Sequence, residues 1–190
     1  DSNICVTLDS NIVCFLDCDS LIVQTPKESF EHWTTTDIYS SPESLAARQQ
    51  RNYVRSAVDD DFGLAVLIFR ILNDWQLPYA YDGGGTKNKA ALVLERRFPY
   101  GRKSVDRVVP GAEAVLDTYR SEMHESVKDL FERAFASGVR RPTASEWLAG
   151  LQTFLLSRQD LHVRPAPAPS PPPATTSIPV HSQPGSVVVT

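Results

Sequence analysis

From Phe62 to Leu72 the chain is apolar at nine of eleven positions, broken only by Gly63 and Arg70. Asp59, Asp60 and Asp61 stand directly before this run. Carboxylates at a helix start satisfy unpaired N–H groups and complement the helix dipole. A buried strand is the rival reading of so apolar a run, but its length favours a helix. A helix apolar on nearly every side has no face to offer to water, so it belongs at the centre of a larger domain. The rest of the chain must therefore wrap around residues 62–72.

The remaining segments supply that wrapping. Ile4–Leu8 and Ile12–Leu16 are short β-prone runs joined by Asp9-Ser10-Asn11, which predicts a hairpin. Residues 20–42 read as a loop, 46–58 as an inserted helix or loop, and 86–96 as a short helix. Asp82-Gly83-Gly84-Gly85 is a turn. No strand–turn–helix context and no Gly-Lys-Ser/Thr accompany it, so it is not read as a phosphate-binding loop. Val127, Leu130, Phe131, Ala134 and Phe135 recur at helical spacing, with Gly138 as the stop. Thr143 and Glu146 form a capping box for a last helix whose Trp147, Leu148, Leu151, Phe154 and Leu155 are expected on one face. The fold class expected is mainly α with a small β-hairpin. Residues 1–160 form the lobe and 161–190 a tail. Residues 165–190 hold eight of the 14 prolines and no Lys, Arg, Asp or Glu. Such a segment favours extended polyproline conformations, cannot build a core, and is expected to be a disordered linker or partner-binding tail.

Charge and cysteine content narrow the functions. A net charge of −4 from 19 basic and 23 acidic residues gives no support to nucleic-acid binding. No apolar run reaches the roughly 18 residues of a membrane span, and no signal peptide is visible. Cys5, Cys14 and Cys18 are an odd set without a Cys-x-x-Cys pair. Reduced, mostly buried thiols in a cytoplasmic protein are expected. The chain starts at Asp1 inside the hairpin segment and is expected to be a fragment.

Several short motifs follow one another in a fixed order. Asn3 precedes the hairpin and Asp17 follows it, within Leu16-Asp17-Cys18-Asp19. Thr36-x-x-Tyr39-x-Ser41-Pro42-Glu43 comes next, then Asp60-x-Phe62, Leu77-Pro78-Tyr79, and Arg141-Pro142-Thr143-Ala144. Singly, each has a plain structural reading: Asn3 a turn residue, Asp17 a strand-end cap, Pro42-Glu43 a helix start, Arg141 a solvated side chain. Together, over residues 3–156, they resemble the C-terminal lobe of a protein kinase. The Asp-x-Asp-Ser segment, Phe98-Pro99-Tyr100 and Arg-Pro-Thr-Ala-x-Glu-Trp look like a bacterial branch of the eukaryotic-like Ser/Thr kinases.

That resemblance implies roles. Asn3 and Asp17 would hold magnesium against the phosphates of ATP, since phosphoryl transfer depends on charge stabilisation by metal ions bound through hard oxygen ligands. Cys5 and Leu16 would lie at the floor of the adenine site, and Thr36 would face the protein substrate. Glu43 and Arg141 would form a buried ion pair, and Asp60 would hold the backbone of the catalytic loop. The Gly-rich loop, the ATP lysine and the catalytic-loop Asp would lie upstream of Asp1, so no catalytic residue is assigned within the chain. Cys18 and Asp19 stand where the family has Phe and Gly, and Asp19 forgoes the flexibility of glycine. The function implied is ATP-dependent phosphorylation of a protein by the intact enzyme. The alternative is a pseudokinase scaffold that only binds partners.

Overall fold

The computed structural model describes residues 4–7, 12–15, 23–24, 27, 29–30, 36–49, 56–85, 87–135 and 140–163. Among them are four short strands and six helices. β1 (Ile4–Val6) pairs antiparallel with β2 (Val13–Phe15), in the register Ile4↔Phe15, Cys5↔Cys14 and Val6↔Val13. The hairpin read from the sequence is therefore present. β3 (Val23–Gln24) and β4 (Ser29–Phe30) form a second small antiparallel pair inside the stretch expected to be a loop. Neither strand exceeds two residues, too short for alternation to show.

The helices are α1 (Pro42–Gln49), α2 (Ala57–Leu72), α3 (Lys89–Leu94), α4 (Glu113–Glu122), α5 (Glu125–Phe135) and α6 (Ala144–Val163). α2 contains the apolar run and is its core element: Phe62, Ala65, Val66 and Phe69 are buried. Phe69 has no exposed surface. Its ring meets Tyr100 at 4.9 Å and Phe131 at 5.1 Å, both near edge-on, with Phe98 and Phe135 also edge-on. Such pairs add about 0.5–1.5 kcal/mol each beyond the area they bury. The helix is not covered all round, however. Val58 and Ile71, near its two ends, are more than half exposed.

α2 starts at Ala57, and its first turn is tied down by Asp59. The N–H of Ser56 donates to Asp59 Oδ2 at 2.8 Å and its hydroxyl does so at 3.2 Å. At the far end Asn73 Nδ2 donates to the Phe69 carbonyl at 2.8 Å. Asp74 and Trp75 then take left-handed backbone angles, φ 46° and 60°, so this helix ends without a glycine.

α4 is an element the sequence reading passed over. Its buried Tyr119 packs toward Tyr100 and Phe131. The corner to α5 is closed by Lys128, only 8% exposed, which donates from Nζ to the Arg120 carbonyl and to Glu125 Oε1, both at 2.7 Å. The α5 pattern holds, with Val127, Leu130, Phe131, Ala134 and Phe135 all buried. Gly138 lies outside the described residues.

The capping box of α6 is present: Thr143 N–H donates to Glu146 Oε2 at 2.9 Å, and Glu146 N–H donates to Thr143 Oγ1 at 3.4 Å. α6 reaches Val163, three residues past the boundary drawn at 160. Its buried side is Trp147, which meets Phe131 at 4.9 Å, with Leu151 and Phe154 packed against the core. Leu148 and Leu155 are about 60% exposed and do not share that face. α6 carries apolar residues on two adjacent stripes, so spacing alone did not choose between them. Close approach of α5 and α6 needs Gly150, where a Cβ would stand 2.5 Å from a Leu130 methyl. The proline-rich residues 164–190 lie outside the described residues. No described helix is long and apolar enough to cross a membrane.

Candidate functional site

The segment 36–45 reaches the core through buried Ile38 and Leu45. Thr36 is exposed, and its carbonyl accepts from Tyr39 N–H at 3.0 Å at the start of a 3-10 turn, Asp37–Tyr39. Buried Tyr79 donates to the Ile38 carbonyl at 2.7 Å, and burial pushes its phenol above the usual range. Ser41 is fully buried. Its Oγ accepts from Ser44 N–H at 3.0 Å, which caps α1, and donates to Asp59 at the start of α2. From sequence, Ser41 was only one position of the Thr36–Glu43 motif, with no role of its own. The signal was a Ser directly before a Pro at a helix start.

Glu43, in the first turn of α1, meets Arg141, which precedes α6. Arg141 Nη2 donates to Glu43 Oε2 at 2.6 Å, and Arg96 Nη1 lies 3.0 Å from Glu43 Oε1. The Arg141 guanidinium also lies over the Phe62 ring, 5.1 Å from its centroid. One side chain thus joins α1, α2 and the entry to α6. Burial alone would raise the Glu43 carboxyl, but the hydrogen bond from Arg141, with the charges of Arg141 and Arg96, outweighs it and holds the carboxyl below the ordinary value.

The expected burial holds for one partner only. Arg141 is 8% exposed, whereas the Glu43 side chain is 51% exposed. The carboxylate lies in the first turn of α1, between Arg141 and Arg96. Arg141 Nε is buried and has no hydrogen-bond partner among the described residues.

Asp60 occupies the exposed side of the first turn of α2. Its neighbour Asp61 is pushed above the ordinary carboxylate value by burial and by the Asp60 charge. Asp59 links the start of α2 to Ser41 before α1 and caps its own helix through Ser56.

Cys5 is on β1 and exposed. The expectation of mostly buried thiols is wrong for both Cys5 and Cys14, which are exposed. A two-stranded sheet buries little surface on its own, and Val6, Thr7, Ile12 and Val13 around them are exposed too. Asn3, Leu16 and Asp17 lie outside the described residues. The antiparallel pair Ile4↔Phe15 is at the end of the hairpin from which the chain runs to all three. Among the described residues no three His, Cys, Asp or Glu side chains gather to hold a metal.

A cavity of about 490 Å³ lies at the other end of α2, among Ile71, Leu72, Val115, Tyr119, Met123 and Phe154. Its lining is mainly apolar, with Asn73, Asp74, Thr118, Glu122 and Arg158 also on its walls. It contains none of the candidate site residues Asn3, Cys5, Leu16, Asp17, Thr36, Glu43, Asp60 or Arg141.

No protein-family model, curated protein or solved structure matches the chain.

Proposed function

We propose that this chain is the C-terminal lobe of a Ser/Thr protein kinase of the bacterial eukaryotic-like type. The observation that carries the reading is the Glu43–Arg141 pair. The order of motifs called for a carboxylate after Thr36…Pro42 to meet an arginine before the last helix, and these two side chains stand 2.6 Å apart. The central position of α2 and the exposure of the β1–β2 hairpin support the same reading.

In the intact enzyme Asn3 and Asp17 would hold magnesium with the phosphates of ATP. Both are hard oxygen ligands, and they flank a hairpin whose register favours one shared end. Bound metal supplies charge stabilisation for the transferring phosphoryl group. Cys5 and Leu16 would line the adenine floor and Thr36 the protein-substrate side, in a cytoplasmic enzyme. The Gly-rich loop, the lysine and the catalytic Asp belong, on this reading, to sequence N-terminal to Asp1. The proline-rich tail would link this lobe to a further module or a partner.

Cys5 gives the test. In the longer polypeptide that carries the covering lobe, Mg·ATP should slow alkylation of Cys5 by iodoacetamide, while in the 190-residue chain it should not. Alkylation of Cys5 at one rate with and without Mg·ATP in the longer polypeptide would remove it from the nucleotide site. A longer polypeptide that binds ATP but transfers no phosphate would favour the pseudokinase scaffold.

A further inference from the structure

Cys5 and Cys14 are direct cross-strand partners in the β1–β2 register, both are free thiols, and both are exposed. We propose that they form a dithiol site at which small disulfides, such as oxidised glutathione, act to close an intramolecular cross-strand disulfide. Directly opposed residues of an antiparallel pair have Cα atoms about 4.5–5.5 Å apart. A disulfide accepts Cα separations of about 4.4–6.8 Å. Side chains that are opposed in register also leave the sheet on the same face. The hairpin thus brings the two sulfurs together before any bond forms. The register is held independently by the Thr7 N–H bond to the Ile12 carbonyl at 3.0 Å and the Ile12 N–H bond to Thr7 Oγ1 at 3.1 Å. Exposure of both thiols gives the reagent access to either one.

The chemistry balances by thiol–disulfide exchange. One cysteine loses its proton and attacks a sulfur of oxidised glutathione. A protein–glutathione S–S bond forms, the glutathione S–S bond breaks, and one glutathione leaves as thiolate. The opposed cysteine, deprotonated in turn, attacks the protein sulfur of the mixed disulfide. The cross-strand bond forms and the second glutathione leaves. The protein is oxidised by two electrons, and the two protons it gives up end on two glutathiones. This requires no kinase activity and does not rest on the proposed function.

The test treats the 190-residue chain and its Cys18→Ser variant with oxidised glutathione. Intact mass and free-thiol titration then identify the products. In Cys18→Ser both remaining thiols should disappear, with a mass loss of two hydrogens and no retained glutathione. Replacing Cys5 or Cys14 by Ser in that background should stop the reaction at one bound glutathione. Cys18→Ser retaining two glutathiones, forming covalent dimers, or keeping both thiols free would overturn the proposal. So would an internal disulfide that the wild-type chain forms and Cys18→Ser does not, because the bond would then involve Cys18.

Discussion

Arg141 and Glu43 are 98 positions apart in sequence, and a guanidinium N–H of one meets a carboxylate oxygen of the other at 2.6 Å. Arg141 is nearly buried while Glu43 is half in water, so the two ends of the bond are not energetically equivalent. Removing the carboxylate strands a buried charge. Removing the guanidinium leaves a carboxylate that still has Arg96 and solvent.

This asymmetry makes the pair measurable. Loss of a fully buried partner costs about 3–5 kcal/mol. The exposure of Glu43 lowers the expectation for Glu43→Gln to about 1–2 kcal/mol, because water screens part of the interaction. Arg141→Met added to Glu43→Gln should recover part of that loss, since no guanidinium is then left unpaired. Urea unfolding of the two single variants and the double variant gives the comparison. Strictly additive losses would show that the two side chains do not act as a pair.

Phe69 anchors α2 against α4, α5 and the Phe98–Tyr100 segment. Phe69→Ala should cost about 3–5 kcal/mol through lost burial and a residual cavity. Exposed Ile71→Ala, on the same helix and 60% exposed, should cost far less. Thermal unfolding by circular dichroism ranks the two. Equal losses would mean that α2 is not packed as described.

Glu146 carries the acid sensitivity of α6. The Thr143 N–H, then Arg133, Thr143 Oγ1 and Arg140, hold its carboxyl at about 2, against an ordinary 4.5. A carboxyl depressed in the folded state contributes stability that is complete above its unfolded value and is lost as pH falls through the folded one. The contribution should therefore fade between about pH 4.5 and 2. Glu146→Gln, which cannot ionise, should lower the Tm at pH 7 and flatten its fall with acid over that window. A Tm curve parallel to wild type would remove Glu146 as the source.

The 190-residue chain alone should transfer no phosphate. Magnesium gives up its waters reluctantly and binds weakly to two protein ligands without phosphates beside them. On the proposed reading the groups that present the phosphates and orient the acceptor hydroxyl are not among its residues. Labelled phosphate appearing on a protein substrate, and lost on Asp17→Ala, would show that the chain needs nothing further.

Features with a strong local pattern were readable from sequence. The apolar run of α2, the α5 stripe from Val127 to Phe135 and the Thr143–Glu146 box each follow from residue spacing and appear as expected. The Glu43–Arg141 meeting was readable only from the order of motifs, because nothing local in either segment points to the other. α4 was missed although Ala112, Leu116, Tyr119 and Met123 carry a helical spacing. Polar Asp117, Thr118 and Arg120 between them dilute it. The face of α6 was misjudged because Leu148 and Leu155 lie one position from Trp147 and Phe154. Which stripe is buried depends on where α5 lies. The contact between Arg96 and Glu43 was likewise not readable, because the two lie in separate segments and Arg96 takes a left-handed backbone angle of φ 54°.

The proposal of a kinase lobe is tested most directly by phosphate transfer from γ-labelled ATP. The sample is a polypeptide that extends this chain by the N-terminal lobe the proposal calls for, assayed with magnesium and a protein substrate. Transfer to Ser or Thr that Asp17→Ala abolishes, with the fold of the variant intact, is the result expected. A folded longer polypeptide that neither binds ATP nor transfers phosphate would contradict the kinase reading.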